Sequence, residues 1–135
     1  MIQEVDYLLL QWYEVNRRII KRKTVGGLEI ALDRPPKTPI HDGEVLCEQD
    51  GVSVKARIEP CLCIVLATDD IETVGSFCFD VANRHLPIFA VDDKFLVSYD
   101  GHLFQALSMK YGTSVWVEEQ VLRVEQAVKP FGNYY

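Results

Sequence analysis

The sequence predicts an α+β protein: a small N-terminal β-domain, residues 1–59, followed by a ferredoxin-like βαββαβ domain, residues 60–135. Three observations carry this. The first half is dense in turn signals, with Gly26-Gly27, Pro35-Pro36, Pro39, Asp42-Gly43 and Asp50-Gly51 separating short apolar runs. In the second half, two segments with helical apolar spacing alternate with strand-length runs. Between the halves, Glu59-Pro60 marks the change.

Taken in order, Gly26-Gly27 divides Ile19–Val25 from Leu28–Ala31, the grammar of a β-hairpin. Residues 14–20 also admit a helical reading. Pro35, Pro36 and Pro39 make a connection that no central strand accepts. His41-Asp42-Gly43 turns into Glu44–Cys47, and Asp50-Gly51 turns again into Val52–Val54.

Cys61 to Ala67 is a continuous apolar run, as expected for a strand central in a sheet. Asp69 stands three residues before Glu72, the spacing of a capping box, and Ile71, Val74, Cys78 and Val81 with Phe77 form one helical face behind it. Asn83 is expected to take the left-handed conformation that ends this helix. Leu86–Ala90 and Lys94–Tyr99 read as strands joined at Asp92-Asp93. Asp100 caps a second helix with Leu103, Phe104, Leu107 and Tyr111 on its apolar face, Gly112 stops it, and Thr113–Val117 returns to strand alternation. The order β-α-β-β-α-β predicts two helices on one face of a four-stranded antiparallel sheet.

Composition excludes several classes of function. A net charge of −6 opposes a nucleic-acid partner, which needs a basic face. No apolar run approaches the roughly 20 residues that span a bilayer, and the N-terminus lacks a signal-peptide pattern, so a cytoplasmic protein with no membrane partner is expected. Four cysteines then read as reduced thiols. Cys61 and Cys63 share one strand face, where small buried residues are the expectation and a soft-metal pair the alternative. The run Arg17, Arg18, Lys21, Arg22, Lys23 is expected on the solvated side of a β-ribbon, or else as a dock for an acidic partner.

Catalytic signatures are missing. There is no Gly-x-Ser-x-Gly elbow, phosphate-binding glycine loop or His-Glu-x-x-His helix, and Asp69-Asp70 and Asp92-Asp93 are explained by a cap and a turn. The protein is not expected to be an enzyme. One stretch does suggest chemistry: Asn83-Arg84-His85-Leu86-Pro87 projects an imidazole from the joint between a helix and a strand, and neutral imidazole is a ligand for nickel, zinc and copper. A metal carrier must release its ion, so a closed cage is undesirable, and one histidine per chain at a two-fold axis leaves coordination positions open.

These residues resemble the urease accessory nickel metallochaperones, the UreE family. Asn83-Arg84-His85 with Leu86-Pro87 is similar to the family's Gly-Asn-Arg-His signature and the apolar-Pro pair after it. Asp100-Gly101-His102-Leu103, leading to Tyr111-Gly112, resembles the segment that follows. Trp12, the basic run before Thr24, Gly27 with Glu29-Ile30, and Asp42–Leu46 resemble the family's N-terminal domain. The resemblance implies a homodimer in which the ferredoxin-like domains pair and His85 of each chain holds one Ni²⁺, the cargo, with Zn²⁺ or Cu²⁺ as substitutes in vitro. It implies delivery to apo-urease together with a GTPase and other accessory proteins, a chaperone-like partner-binding role for the N-terminal domain, and His102 as a secondary ligand. His41 matches no family ligand. Three departures from the family pattern stand out. Ala82 replaces the usual glycine, Asp100 stands where some members carry histidine, and Lys129–Tyr135 contains no histidine-rich tail, so few ions are expected per chain. The alternative from another class is a protein-interaction module of an accessory complex, with incidental metal binding.

Overall fold

The computed structural model describes residues 4–128, so the tail at 129–135 lies outside the described residues. The fold is α+β, with nine strands and two α-helices among those residues. It divides into two compact units. The first takes the chain up to Glu59 and regains it at Arg123–Glu125; the second is Pro60–Leu122, continued from Gln126.

In the first unit, β1 (Glu4–Leu10) leads through a 3₁₀ turn at Trp12–Glu14 to β2 (Ile19–Lys23), β3 (Glu29–Asp33), β4 (Val45–Gln49) and β5 (Val52–Ile58). The β2–β3 hairpin forms around Gly26-Gly27, with Arg22 opposite Ile30. β4 and β5 are antiparallel, and their two-residue link, Asp50-Gly51, has φ of 53° and 76°. Two positive φ values are what a hairpin turn matched to right-handed strand twist requires. β1 pairs parallel to β5, with Leu8 opposite Ala56, giving the sheet order β1-β5-β4. Leu8, Leu10, Val54, Ala56 and Ile58 are buried, each at 2% exposure or less.

The helical reading of residues 14–20 does not hold. Glu14 ends the 3₁₀ turn and Ile19-Ile20 begins β2. Glu14 decides this. Its buried carboxylate accepts from the backbone N–H of Gln11 at 2.8 Å and from Arg17 at 3.0 Å, and it is paired closely with Arg22. Arg22 also donates to the Leu9 carbonyl at 3.0 Å. A helix through this stretch could not present both arginines, three and eight residues on, to that one carboxylate. The basic run is therefore only partly solvated: Arg17 and Arg22 bind Glu14, Arg18 binds Asp33 at 3.0 Å, and Lys23 lies 3.9 Å from Glu29.

The second unit runs β6 (Cys61–Ala67), α1 (Ile71–Ala82), β7 (Phe89–Val91), β8 (Lys94–Ser98), α2 (Gly101–Tyr111) and β9 (Val115–Gln120). The sheet order is β7-β8-β6-β9, antiparallel throughout, so β6 is internal as its apolar run implied. This is the βαββαβ arrangement. Ile64, Leu66, Phe77, Val81, Ile88, Val97, Leu103, Leu107 and Val115 form its buried core, with Val74, Cys78, Leu86, Phe95, Phe104 and Tyr111 packed against it. Burying a side chain such as Phe77, with no exposed surface, stabilises the unit by about 1.5–3 kcal/mol. Cys63 and Val65, on the opposite side of β6, have no exposed surface either.

Local details depart from the sequence expectations. Asp70, rather than Asp69, caps α1: its carboxylate accepts from the Glu72 N–H at 3.3 Å and the Thr73 hydroxyl at 2.8 Å. Ile71, placed on the apolar face by its spacing, is 82% exposed because it opens the helix ahead of the turns that meet the sheet. β7 begins at Phe89 instead of Leu86, and a 3₁₀ turn at Gly112–Ser114 delays β9 to Val115. Asp100 caps α2 as expected, accepting from Leu103 N–H at 2.9 Å.

Candidate metal site at the end of helix α1

The end of α1 is built by four backbone hydrogen bonds. Asn83 N–H donates to Phe79 at 2.9 Å, Arg84 N–H to Val81 at 3.1 Å, His85 N–H to Ala82 at 2.9 Å, and Leu86 N–H reaches back to Val81 at 3.5 Å. The last two, one spanning three residues and the next spanning five, are the pair that defines a Schellman termination. In that motif the residue before the reach-back must be left-handed, and here it is His85, with φ of 60°. Asn83, the expected left-handed residue, is helical at φ −64° and ψ −20°. Leu86 completes the motif by packing against the core that contains Val81.

The consequence is chemical. Glycine is the usual occupant of this position because it has no Cβ to clash, and a side chain there costs about 1–2 kcal/mol. Histidine is among the residues that tolerate it best. The imidazole of His85 is thus exposed, on a backbone held from one side by the helix and from the other by Leu86 and Pro87. It also stands just past the C-terminus of α1, the negative end of the helix dipole, where a cation is favoured by about 0.3–1 kcal/mol.

His102 sits in the opposite field. It is exposed in the first turn of α2, one residue after Gly101, where the helix dipole is positive and the Asp100 carboxylate is engaged with Leu103. The two histidines are on different elements. Among the described residues, no three His, Cys, Asp or Glu side chains gather in a way that could hold a metal ion. His41 is exposed and lies 3.2 Å from Glu125, beside the Asp42–Arg123 ion pair at 3.3 Å.

A groove of about 290 Å³ adjoins the end of α1, lined by Asp80, Asn83 and Arg84 from α1 and its end and by Ala106, Leu107 and Lys110 from α2. Asp80 ties the helices together, accepting from Lys110 at 2.9 Å and the Tyr111 hydroxyl at 2.7 Å. Those two donors, Lys110 first, hold the Asp80 carboxyl below the usual carboxylate range. Tyr111 also meets Ser76 at 2.8 Å, and burial pushes its phenol up. Away from this end, burial raises the thiols of Cys61, Cys63 and Cys78, with Cys63 pushed up to about 12. The sequence reading missed Glu14 and the left-handed role of His85. The second had a signal in the Leu86-Pro87 pair, an apolar residue and a proline directly after the position where glycine usually stands.

The model of the UreE urease accessory protein N-terminal domain matches residues 2–59, the span of the first unit before its return. The urease accessory protein UreE of Acetivibrio thermocellus is 33% identical over 111 residues, covering 82% of this chain and 72% of that protein. The chain belongs to the UreE family. The UreE of Flavobacterium johnsoniae is 29% identical over 132 residues, 96% of this chain and 79% of its own length. That of Lysinibacillus sphaericus is 27% identical over 133 residues, 97% and 86% respectively. Similarity to UreE therefore extends across both units, and so across the stretches carrying His85 and His102.

Proposed function

We propose that this UreE-family chain is a non-catalytic metallochaperone that carries Ni²⁺ to apo-urease during active-site assembly. Its relatives bear the name of urease accessory proteins, which supports a role in urease assembly. The observation that carries the finer reading is His85. An exposed imidazole occupies the one position at the end of α1 where glycine would be less strained. Strain held at a defined place points to a use for the side chain that holds it.

One imidazole per chain is a weak site, so the reading requires a homodimer in which two His85 side chains share one ion across a two-fold axis. Two ligands leave coordination positions open, which suits an ion that must be passed on to the urease apoprotein with a GTPase and other accessory proteins. His102 is the secondary ligand in this reading. Its place at the positive end of α2 makes it the weaker one. Zn²⁺ or Cu²⁺ substitutes for Ni²⁺ in vitro, because imidazole serves all three.

The test is calorimetric titration of metal-free protein with Ni²⁺, alongside light scattering. One ion per two chains is expected, with binding lost in His85→Gly while the fold persists. Unchanged nickel affinity in that variant overturns the assignment.

A further inference from the structure

Cys61 and Cys63 open β6 on one side of the strand, and their sulfurs are 3.8 Å apart. Leu62, between them, points the other way and is 51% exposed. Cys63 has no exposed surface, and its thiol reaches the Cys61 carbonyl at 3.5 Å. Cys61 is half-buried and follows the exposed Pro60, so the pair is reached from the start of the strand. Opposite them on β9 lie Gln120, facing Cys61, and Glu118, facing Cys63.

Two chemistries compete for such a pair. Residues two apart on a strand have Cα atoms about 6.6–6.8 Å apart, the upper limit for a disulfide, so joining the sulfurs requires the strand to bend. A metal ion makes no such demand. Two metal–sulfur bonds of about 2.3 Å meeting at about 110–120° place the sulfurs about 3.8–4.0 Å apart. The observed separation is already that of a chelate.

The coordination number narrows the ion. Zinc prefers four protein ligands in a structural site, and among the described residues no third His, Cys, Asp or Glu joins these two sulfurs. Thiolates select soft ions, and Cu⁺ is content with two or three ligands.

We propose that Cys61 and Cys63 form a bidentate thiolate site for Cu⁺, separate from the imidazole at His85. On binding, each thiol releases its proton to solvent and forms one copper–sulfur bond. No electron is transferred, because the ion enters as Cu⁺. A third position remains open to an external thiol, through which the ion exchanges.

The experiment is anaerobic titration with Cu⁺ against a chromophoric Cu⁺ chelator, on the full chain. Wild type, Cys47→Ser and His85→Gly are expected to take one Cu⁺ per chain, and Cys61→Ser to take none while binding Ni²⁺ as wild type does. X-ray absorption on copper-loaded wild type should find two sulfur neighbours, a readout independent of any variant's folding. Copper uptake retained in Cys61→Ser, a nitrogen-only copper shell, or loss of Cu⁺ in His85→Gly overturns the proposal. Failure of the nickel reading alone leaves it standing.

Discussion

Leu86 donates its backbone N–H to the carbonyl of Val81, and this one reach-back puts His85 into the left-handed region. The hydrogen bond comes with a packing contact, since both side chains belong to the same apolar cluster. Core packing thus sets the backbone of a surface imidazole. The side chain with the proposed function stands on the most constrained part of the helix end.

The first prediction follows from that strain. His85→Gly removes the Cβ conflict and is expected to be more stable than wild type by about 1 kcal/mol, while losing nickel. His85→Ala also loses nickel but gains no stability, because alanine suffers the same left-handed penalty. Urea denaturation of the three proteins gives the order, and calorimetry the nickel affinities. Equal stability of the glycine and alanine variants would contradict a left-handed termination at His85.

A second concerns the paired histidine candidates. His102→Ala should leave the first, tight nickel ion in place and remove only weaker additional binding. The reason is position: His85 follows a helix C-terminus, and His102 stands at a helix N-terminus. Loss of the first ion in His102→Ala would reverse the assigned ranking.

Glu14 anchors the first unit, and Glu14→Gln should cost about 2–3 kcal/mol, because the buried carboxylate holds two arginines. Its pKa is lowered from 4.5, chiefly by the hydrogen bond from Arg22. A lowered folded-state pKa means the contribution is fully present above the unfolded value and disappears as pH falls through the folded one. Wild type should therefore lose stability on acidification from neutral pH more steeply than Glu14→Gln. Parallel acid-stability curves would exclude this role.

Tyr111 links α2 to α1 through Asp80 and Ser76. Tyr111→Phe keeps the ring and deletes the hydroxyl, so a loss of about 1 kcal/mol is expected, read from the urea midpoint. Nickel binding should be unchanged, since Lys110 still holds Asp80 beside the groove.

Where a residue's role depends on neighbours within a few positions, it was legible. Asp100 as a cap, Gly112 as a stop, Asp50-Gly51 as a turn and β6 as an internal strand all follow from periodicity and turn chemistry. Asp70 displaced Asp69 because Asp70 serves both Glu72 and Thr73, a choice that depends on the first turn's geometry and not on spacing. His85 was legible as a candidate from its residue type and its family-like neighbours, but its conformation was not. A left-handed residue that is not glycine is marked only by its neighbours, here by the apolar residue and proline that follow it.

The sequence by itself determined the alternation of elements in the second unit, the hairpins of the first, and the likeness to UreE. These rest on side-chain period, φ preferences and short motifs, all properties of neighbouring residues. Only the tertiary structure decided that β1 lies parallel to β5, that Glu14 gathers Arg17 and Arg22, and that Arg123–Glu125 returns to the first unit. It also decided that two sulfurs on β6 stand at a chelating distance, and that the hydrogen bond from Leu86 back to Val81 turns His85 left-handed. Each of these is a meeting of groups whose geometry is set by packing, and packing leaves no local trace in the order of residues.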